Sequence, residues 1–300
     1  MKSFADIHSA VRDKLKSGGK SQMAVLMPSH IEHFMAIRKA YDDAYIIPIF
    51  IGDRNSVKSI AIKAGIDLNN YEVIDSSNPI TESIRLVIDG KANLLFNGGI
   101  PVRELANYIS KKESGFISEG NIATHIAAVQ TSRYHKLMFI TDAAVIQSPD
   151  VAQKVAIIEN SAGYARRLGI PRPKVALLAA VEAIYPAVPV TMEEAAIAKM
   201  GERGQIKDII IDGPLSFDCA INIEIAQQKG IKSSPVAGDP DIFMGPSMET
   251  AHGIYKAMVM YANVAGGSVI FGGKAPIACG FEVDSVNNIF NSIAMAILAA

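Results

Sequence analysis

The sequence predicts an α/β protein built on mostly parallel sheets. Two observations carry this. The period of the apolar pattern switches back and forth, so that short β-type runs alternate with stretches of helical spacing. The composition, 49% hydrophobic and 20% charged over 300 residues, is that of a chain that packs cores rather than one that stays disordered.

The elements follow in order. Residues 1–20 read as an amphipathic helix with charges throughout and no apolar core stretch, so no signal peptide is expected. Strand-type runs fall at 23–28, 45–51, 71–74, 92–96, 136–140, 174–179, 207–211, 241–244 and 268–272. Helical spacing is clearest at 31–41, 55–64, 80–89, 151–168, 192–200, 217–228 and 248–262. A last helix starts at Asp284 or Ser285, either of which is a good cap, and carries an alanine-rich apolar face with Ile289, Ile293 and Ile297. Alternation of this kind places helices on both faces of each sheet. Sites then belong at the carboxyl ends of strands, where loops meet helix N-termini. The loops concerned are Asn97-Gly98-Gly99, Thr141-Asp142, Asp212-Gly213-Pro214, Gly245-Pro246-Ser247 and Gly272-Gly273-Lys274.

Several function classes are disfavoured at once. With 29 basic and 30 acidic residues the net charge is −1, so no field draws nucleic acid or an anionic membrane. The apolar end of the chain, 293–300, is far too short to span a bilayer. Cys219 and Cys279 form no disulfide framework and no zinc spacing, which suits a reducing cytoplasm. Ser17-Gly18-Gly19-Lys20-Ser21 ends like a phosphate loop, but Lys14 stands where the first glycine belongs and no strand precedes it. No dinucleotide fingerprint follows any predicted strand.

Among chemistry-bearing residues, Glu249 and His252 share a helix face, but one such pair falls short of a carboxylate-bridged metal site. His30 and His33 near a helix start fit a surface or capping role. Asp142 fits a site carboxylate or a cap equally. The densest stretch runs from 212 to 252. There three punctuated strand ends with small residues leave room for a ligand against backbone N–H groups, which points to a cleft.

The words in that stretch resemble the phosphate acetyl/butyryl transferase family, most closely its butyryltransferase branch. They are Asp212-Gly213-Pro214-Leu215-Ser216-Phe217-Asp218, preceded by Arg203-Gly204-Gln205-Ile206-Lys207, then Pro235-Val236-Ala237-Gly238, Asp241-Ile242-Phe243, Pro246 with Glu249, Tyr255-Lys256 and Asn291-Ser292-Ile293-Ala294. Upstream, Ile51-Gly52-Asp53, Thr124-His125 and Phe139-Ile140-Thr141-Asp142 extend the resemblance over essentially the whole chain.

The resemblance implies two α/β domains flanking a cleft, akin to isocitrate and isopropylmalate dehydrogenases. The boundaries are 1–127 plus 272–300 for the first domain and 128–271 for the second. It implies transfer of a short or branched acyl group, such as butyryl or acetyl, between coenzyme A and phosphate by a cytoplasmic homodimer. Coenzyme A is then a substrate, with no cofactor and no metal in the chemistry, and no nucleic acid or membrane as partner. The candidate residues at the reacting centre are Ser234, His125 and Asn288, with Glu282 at a position where this chain departs from the family. For substrate binding they are Asp212, Gly213, Pro214, Asp218, Gly238, Ser247 and Glu249; Lys274 and Arg103, the latter unmatched in the family, are expected to restore positive charge from other positions.

The chain departs from the family at the cations. Phe281-Glu282 stands where relatives carry Ser-Arg, Asn97-Gly98 where butyryltransferases carry Lys-Gly, and Asn288 where acetyltransferases carry an aspartate. The segment 115–120 lacks two further cations, and Ser247 replaces an asparagine. An arginine-to-glutamate exchange beside a phosphate turns attraction into repulsion. A divergent relative with changed or lost catalysis, working on other small molecules or in a binding role, is therefore the alternative reading.

Overall fold

A computed structural model describes all 300 residues. In chain order the elements begin α1 (Phe4–Gly18), β1 (Ser21–Leu26), α2 (Ile31–Asp42), β2 (Ile46–Gly52), α3 (Arg54–Lys63), β3 (Glu72–Asp75), α4 (Pro79–Ile88), β4 (Leu94–Asn97) and α5 (Val102–Ile109). They continue β5 (Thr124–Gln130), β6 (Met138–Thr141), α6 (Val151–Arg167), β7 (Lys174–Leu178), α7 (Pro189–Glu202), β8 (Ile210–Leu215), α8 (Phe217–Ile221) and α9 (Ile223–Gln228). The last are β9 (Ile242–Met244), α10 (Met248–Lys256), β10 (Ala265–Phe271), β11 (Ile277–Cys279) and α11 (Val286–Ala299).

The chain divides into two compact units. One comprises Phe4–Ala123 and Ala265–Ala300, and the other Thr124–Val264 with Met1–Ser3. Against the expected boundaries, the whole of β5 joins the middle unit and the whole of β10 joins the terminal one.

In the terminal unit the strand order is β3-β2-β1-β4-β11-β10, all parallel except the β10–β11 pair. Its strands read as unbroken apolar runs because helices cover both faces: β1 and β4 are buried almost throughout. Helix α11 is buried from Asn288 to Ala299, so its alanine-rich sequence is a core sequence. In the middle unit the order is β5-β6-β9-β7-β8, parallel apart from β5–β6. Helix α6 starts at a capping box in which Asp150 accepts the Gln153 N–H and Gln153 returns a bond to the Asp150 N–H.

Three expectations are corrected. The Asp212-Gly213-Pro214 segment is not a loop after a strand but lies inside β8, which runs on to Leu215. Gly213 makes this possible, since a Cβ there would lie 2.6 Å from the Leu177 Cβ, beside a register shift in β7. The single helix expected over 217–228 is two, broken at Asn222, whose side chain accepts the N–H groups of Glu224 and Ile225 and so starts α9. His33 is not at the surface but fully buried. Gly18 ends α1, and Gly19–Lys20 connect it to β1.

Candidate active site

In the terminal unit the strand order reverses at β1: the chain runs outward through β2 to β3 and then crosses back to the other side of β1 as β4. This arrangement opens a crevice at the carboxyl ends of β1 and β4. The crevice is built by close backbone packing. A Cβ on Gly98 would lie 2.8 Å from the Pro28 Cα, and one on Gly99 would collide with the Met27 carbonyl oxygen. The Ser29 hydroxyl donates to the Gly98 carbonyl at 3.1 Å, and Asn97 closes the turn by bonding both the N–H and the carbonyl of Ile100. Beneath it His33 accepts the Ser29 N–H on Nδ1 at 3.2 Å and meets Phe96 edge-on at 5.4 Å. Burial, with His30 beside it, holds His33 down to about 4, so its ring is neutral.

Of the expected site residues in this unit, Arg103 on α5, Lys274 after β10 and Glu282 after β11 are all exposed. The Lys274 N–H donates to the Phe116 carbonyl at 2.9 Å, which fixes the base of its loop. Asn288 is buried, and its carbonyl oxygen accepts the Gly266 N–H at 3.1 Å, tying α11 to β10.

The middle unit gathers its polar groups differently. Asp142, after β6, is buried and accepts the N–H groups of Ala144 and Val145 at 2.9 Å and of His125 at 3.2 Å. Burial outweighs those bonds and raises it to about 6. His125 is fully buried in β5; burial, with the nearby His252 and Lys256, lowers it to about 3 and keeps it neutral. His252 is exposed and sits 3.0 Å from the Ala143 carbonyl, and Glu249 is exposed one turn away on α10, which Ser247 precedes.

Ser234 and Asp212 do come together. The serine hydroxyl donates to the Asp212 carboxylate and accepts the N–H groups of Val236 and Ala237 at 3.1 and 2.9 Å. Gly238 follows with φ +82°, its Cα pressed on Ile223, so only glycine closes this loop. Pro214 is buried in β8.

Asp218 belongs to a separate cluster that sequence reading missed. The Ser216 Oγ lies between the carboxylates of Glu182 and Asp218, and Lys229 donates to Glu182 and Ser216 at 3.0 Å and to Asp218 at 2.9 Å. Burial disfavours charge on Glu182, yet bonds from Ser216, Lys229 and Cys219 bring it down to about 2. Asp218, bonded by Ser216 and Lys229, is also near about 2. The ligand atoms of Glu182, Asp218 and Cys219 lie within 4.8 Å of one another, a spacing that a metal ion accepts. The Lys229 ammonium bonds to the same carboxylates and supplies the positive charge there. Glu182 could have been found by inspecting the loop after 174–179. Lys229 gives no local signal, since it comes from the far end of α9.

Two parallel-sheet α/β units with strand-end loops of this kind define a known class of protein. The fold is shared with a branched-chain phosphotransacylase from Enterococcus faecalis V583, with TM-score 0.78 and 26% identity over 93% of this chain and 98% of that one. It is shared more distantly with a 4-hydroxythreonine-4-phosphate dehydrogenase from Burkholderia phymatum, with TM-score 0.52 and 13% identity over 93% and 98% of the two chains, a likeness of fold alone. The phosphate butyryltransferase of Clostridium acetobutylicum is 34% identical over 290 residues, 96% of each chain. Residues 86–297 match the phosphate acetyl/butaryl transferase family model, and the chain belongs to that family.

Proposed function

We propose that this chain transfers a short or branched acyl group, such as butyryl or acetyl, between coenzyme A and inorganic phosphate. The observation that carries the reading is the near full-length identity to a phosphate butyryltransferase, joined to the family match. In the reaction a phosphate oxygen adds to the thioester carbonyl carbon. The carbon–sulfur bond then breaks, and coenzyme A leaves as a thiolate that takes up a proton, giving the acyl phosphate. Coenzyme A is consumed as a substrate, and no resident cofactor takes part.

Such a step needs cations for phosphate and N–H donors for the carbonyl oxygen. We assign the phosphate to the exposed Lys274 and Arg103. Ser234, fixed by Asp212 and by the N–H groups of Val236 and Ala237, shapes the loop that we place at the acyl end. Asn288 shapes the terminal unit, and the neutral His125 shapes the middle one. A cytoplasmic homodimer is the assembly we propose, in line with the free, buried cysteines. A second reading, changed chemistry on the same scaffold, is favoured by exposed Glu282 where relatives carry arginine.

Thiol release from acetyl-, propionyl-, butyryl- and isobutyryl-CoA, with and without phosphate, separates the two. Phosphate-dependent release with one preferred acyl chain is expected. Lys274→Ala and Arg103→Ala are each expected to lower kcat/KM about tenfold, the scale of one charge-assisted contact. No release from folded protein, beside an active relative, would leave the second reading standing.

A further inference from the structure

Helix α3 lies beside β3, the edge strand of the terminal unit, and a groove of ≈ 610 Å³ opens between them. That volume is within the ~300–1,000 Å³ usual for small-ligand sites. The helix wall carries Arg54, Lys58 and Ile62, four residues apart and so on one face, over about 12 Å. The facing wall is Tyr71, with Asp67 and Asn69 from the turn before β3.

The side chains in the groove are sorted by polarity. At one end Lys58 forms no ion pair, and Arg54 spends one N–H on the Val73 carbonyl at 2.7 Å, leaving the rest of its fork exposed. The N–H groups of Ser56 and Arg54 are already taken by Asp53 and Asp75, so an anion here must be held by the side chains and not by the helix end. In the middle Ile62 is 65% exposed, an isoleucine left uncovered inside a concavity. Beside it the Tyr71 ring is fixed edge-on against Phe50 at 5.7 Å and Tyr41 at 5.1 Å. At the other end Asp67 supplies an acceptor and Asn69 an amide.

A cationic end, an apolar and aromatic middle, and an acceptor–amide end match one kind of small molecule. The geometry points to a binding site for a nucleoside monophosphate. Its phosphate rests on Lys58 and Arg54, its ring covers Ile62 against Tyr71, and its amino or hydroxyl edges meet Asp67 and Asn69. The site is separate from the acyl-transfer residues assigned above, and its occupancy is read without turnover.

The test is calorimetric titration of the whole chain with AMP, GMP and UMP, and with adenosine and inorganic phosphate alone. At least one nucleotide is expected to bind, each fragment more weakly. Lys58→Glu is expected to weaken that nucleotide by about tenfold or more and Ile62→Asn by several-fold. Saturating coenzyme A is expected to leave it bound. Both replaced side chains are exposed, so unchanged thermal unfolding is the control. No binding at millimolar nucleotide would overturn the assignment. So would wild-type affinity in both variants, or displacement by coenzyme A in wild type and Lys58→Glu alike.

Discussion

The strand-end loops of the two units do the same architectural task with opposite materials. In the terminal unit the loops after β1 and β4 meet through glycines, and its buried histidine, His33, is held neutral. In the middle unit the loops after β7 and β8 meet through Glu182, Ser216, Asp218 and Lys229, partly open to water and ionised. Where backbone packs on backbone, shape and neutral hydrogen bonds hold the loops and a charge would be stranded. Where water reaches, opposite charges close the same kind of gap, and the bonds to Glu182 together outweigh its desolvation. The first arrangement is therefore sensitive to volume and the second to ionisation.

Gly99→Val is the strongest test of the volume side. Its side chain has nowhere to go but the Met27 carbonyl, and a loss of about 3 kcal/mol of unfolding free energy is expected in urea titration. An unchanged midpoint would mean that the crevice is plastic.

Asp142→Asn tests a buried acceptor in the middle unit. The new amide donor would face the His125 N–H, at a cost of about 2 kcal/mol. In the wild type the folded state keeps a proton that the unfolded chain releases. Stability therefore falls as pH rises from 3.8 to about 6 and levels off above it. The variant should lose that slope when urea midpoints are followed across the window.

Lys229→Met gives the smallest effect on stability and the clearest effect on charge. Glu182 and Asp218 would lose a shared donor, and both should titrate closer to the ordinary carboxylate range. In the wild type their contribution is present above that range and is lost as pH falls toward about 2, so the variant should show less acid sensitivity there. Carboxyl-carbon NMR reads the shift directly. Unmoved titrations would remove Lys229 from the network.

Much of the fold was legible because helices and buried parallel strands carry strong periods. The helix over 31–41 and the strand at 174–179 are seen within a residue of where they were expected. What was missed lacked such a period. Strand β5, Thr-His-Ile-Ala-Ala-Val-Gln, is buried almost throughout, and a histidine and two alanines interrupt its β-branched residues, so it neither alternates nor reads as a continuous apolar β run. Strand β11 has only 3 residues and exists through its pairing with β4 and β10. Helix α5, 8 residues after a proline, is too short to declare itself.

The candidate site was legible as a proposal where family words are contiguous, as in the loop from Ser234 to Gly238. Its bond to Asp212 joins residues 22 apart and follows only from the fold. The Glu182–Lys229 contact, across 47 residues, has no trace in local sequence.

Helices α1 and α11, one near each end of the chain, belong to one unit. His8 of α1 reaches Asn291 of α11 at 3.0 Å and stacks on Phe290 at 4.5 Å, while Lys14 bonds the carbonyls of Ile297 and Ala300 at 2.8 Å. On the ribosome, the first 123 residues emerge without β10, β11 and α11. They must wait about 10–35 s for Ala300 to be made. The middle unit, continuous from Thr124 to Val264, has all its strands before then. Its folding can finish while the earlier-made part still lacks α11, so a nascent chain stalled once Val264 has cleared the exit tunnel should hold a protease-resistant middle and a digestible beginning.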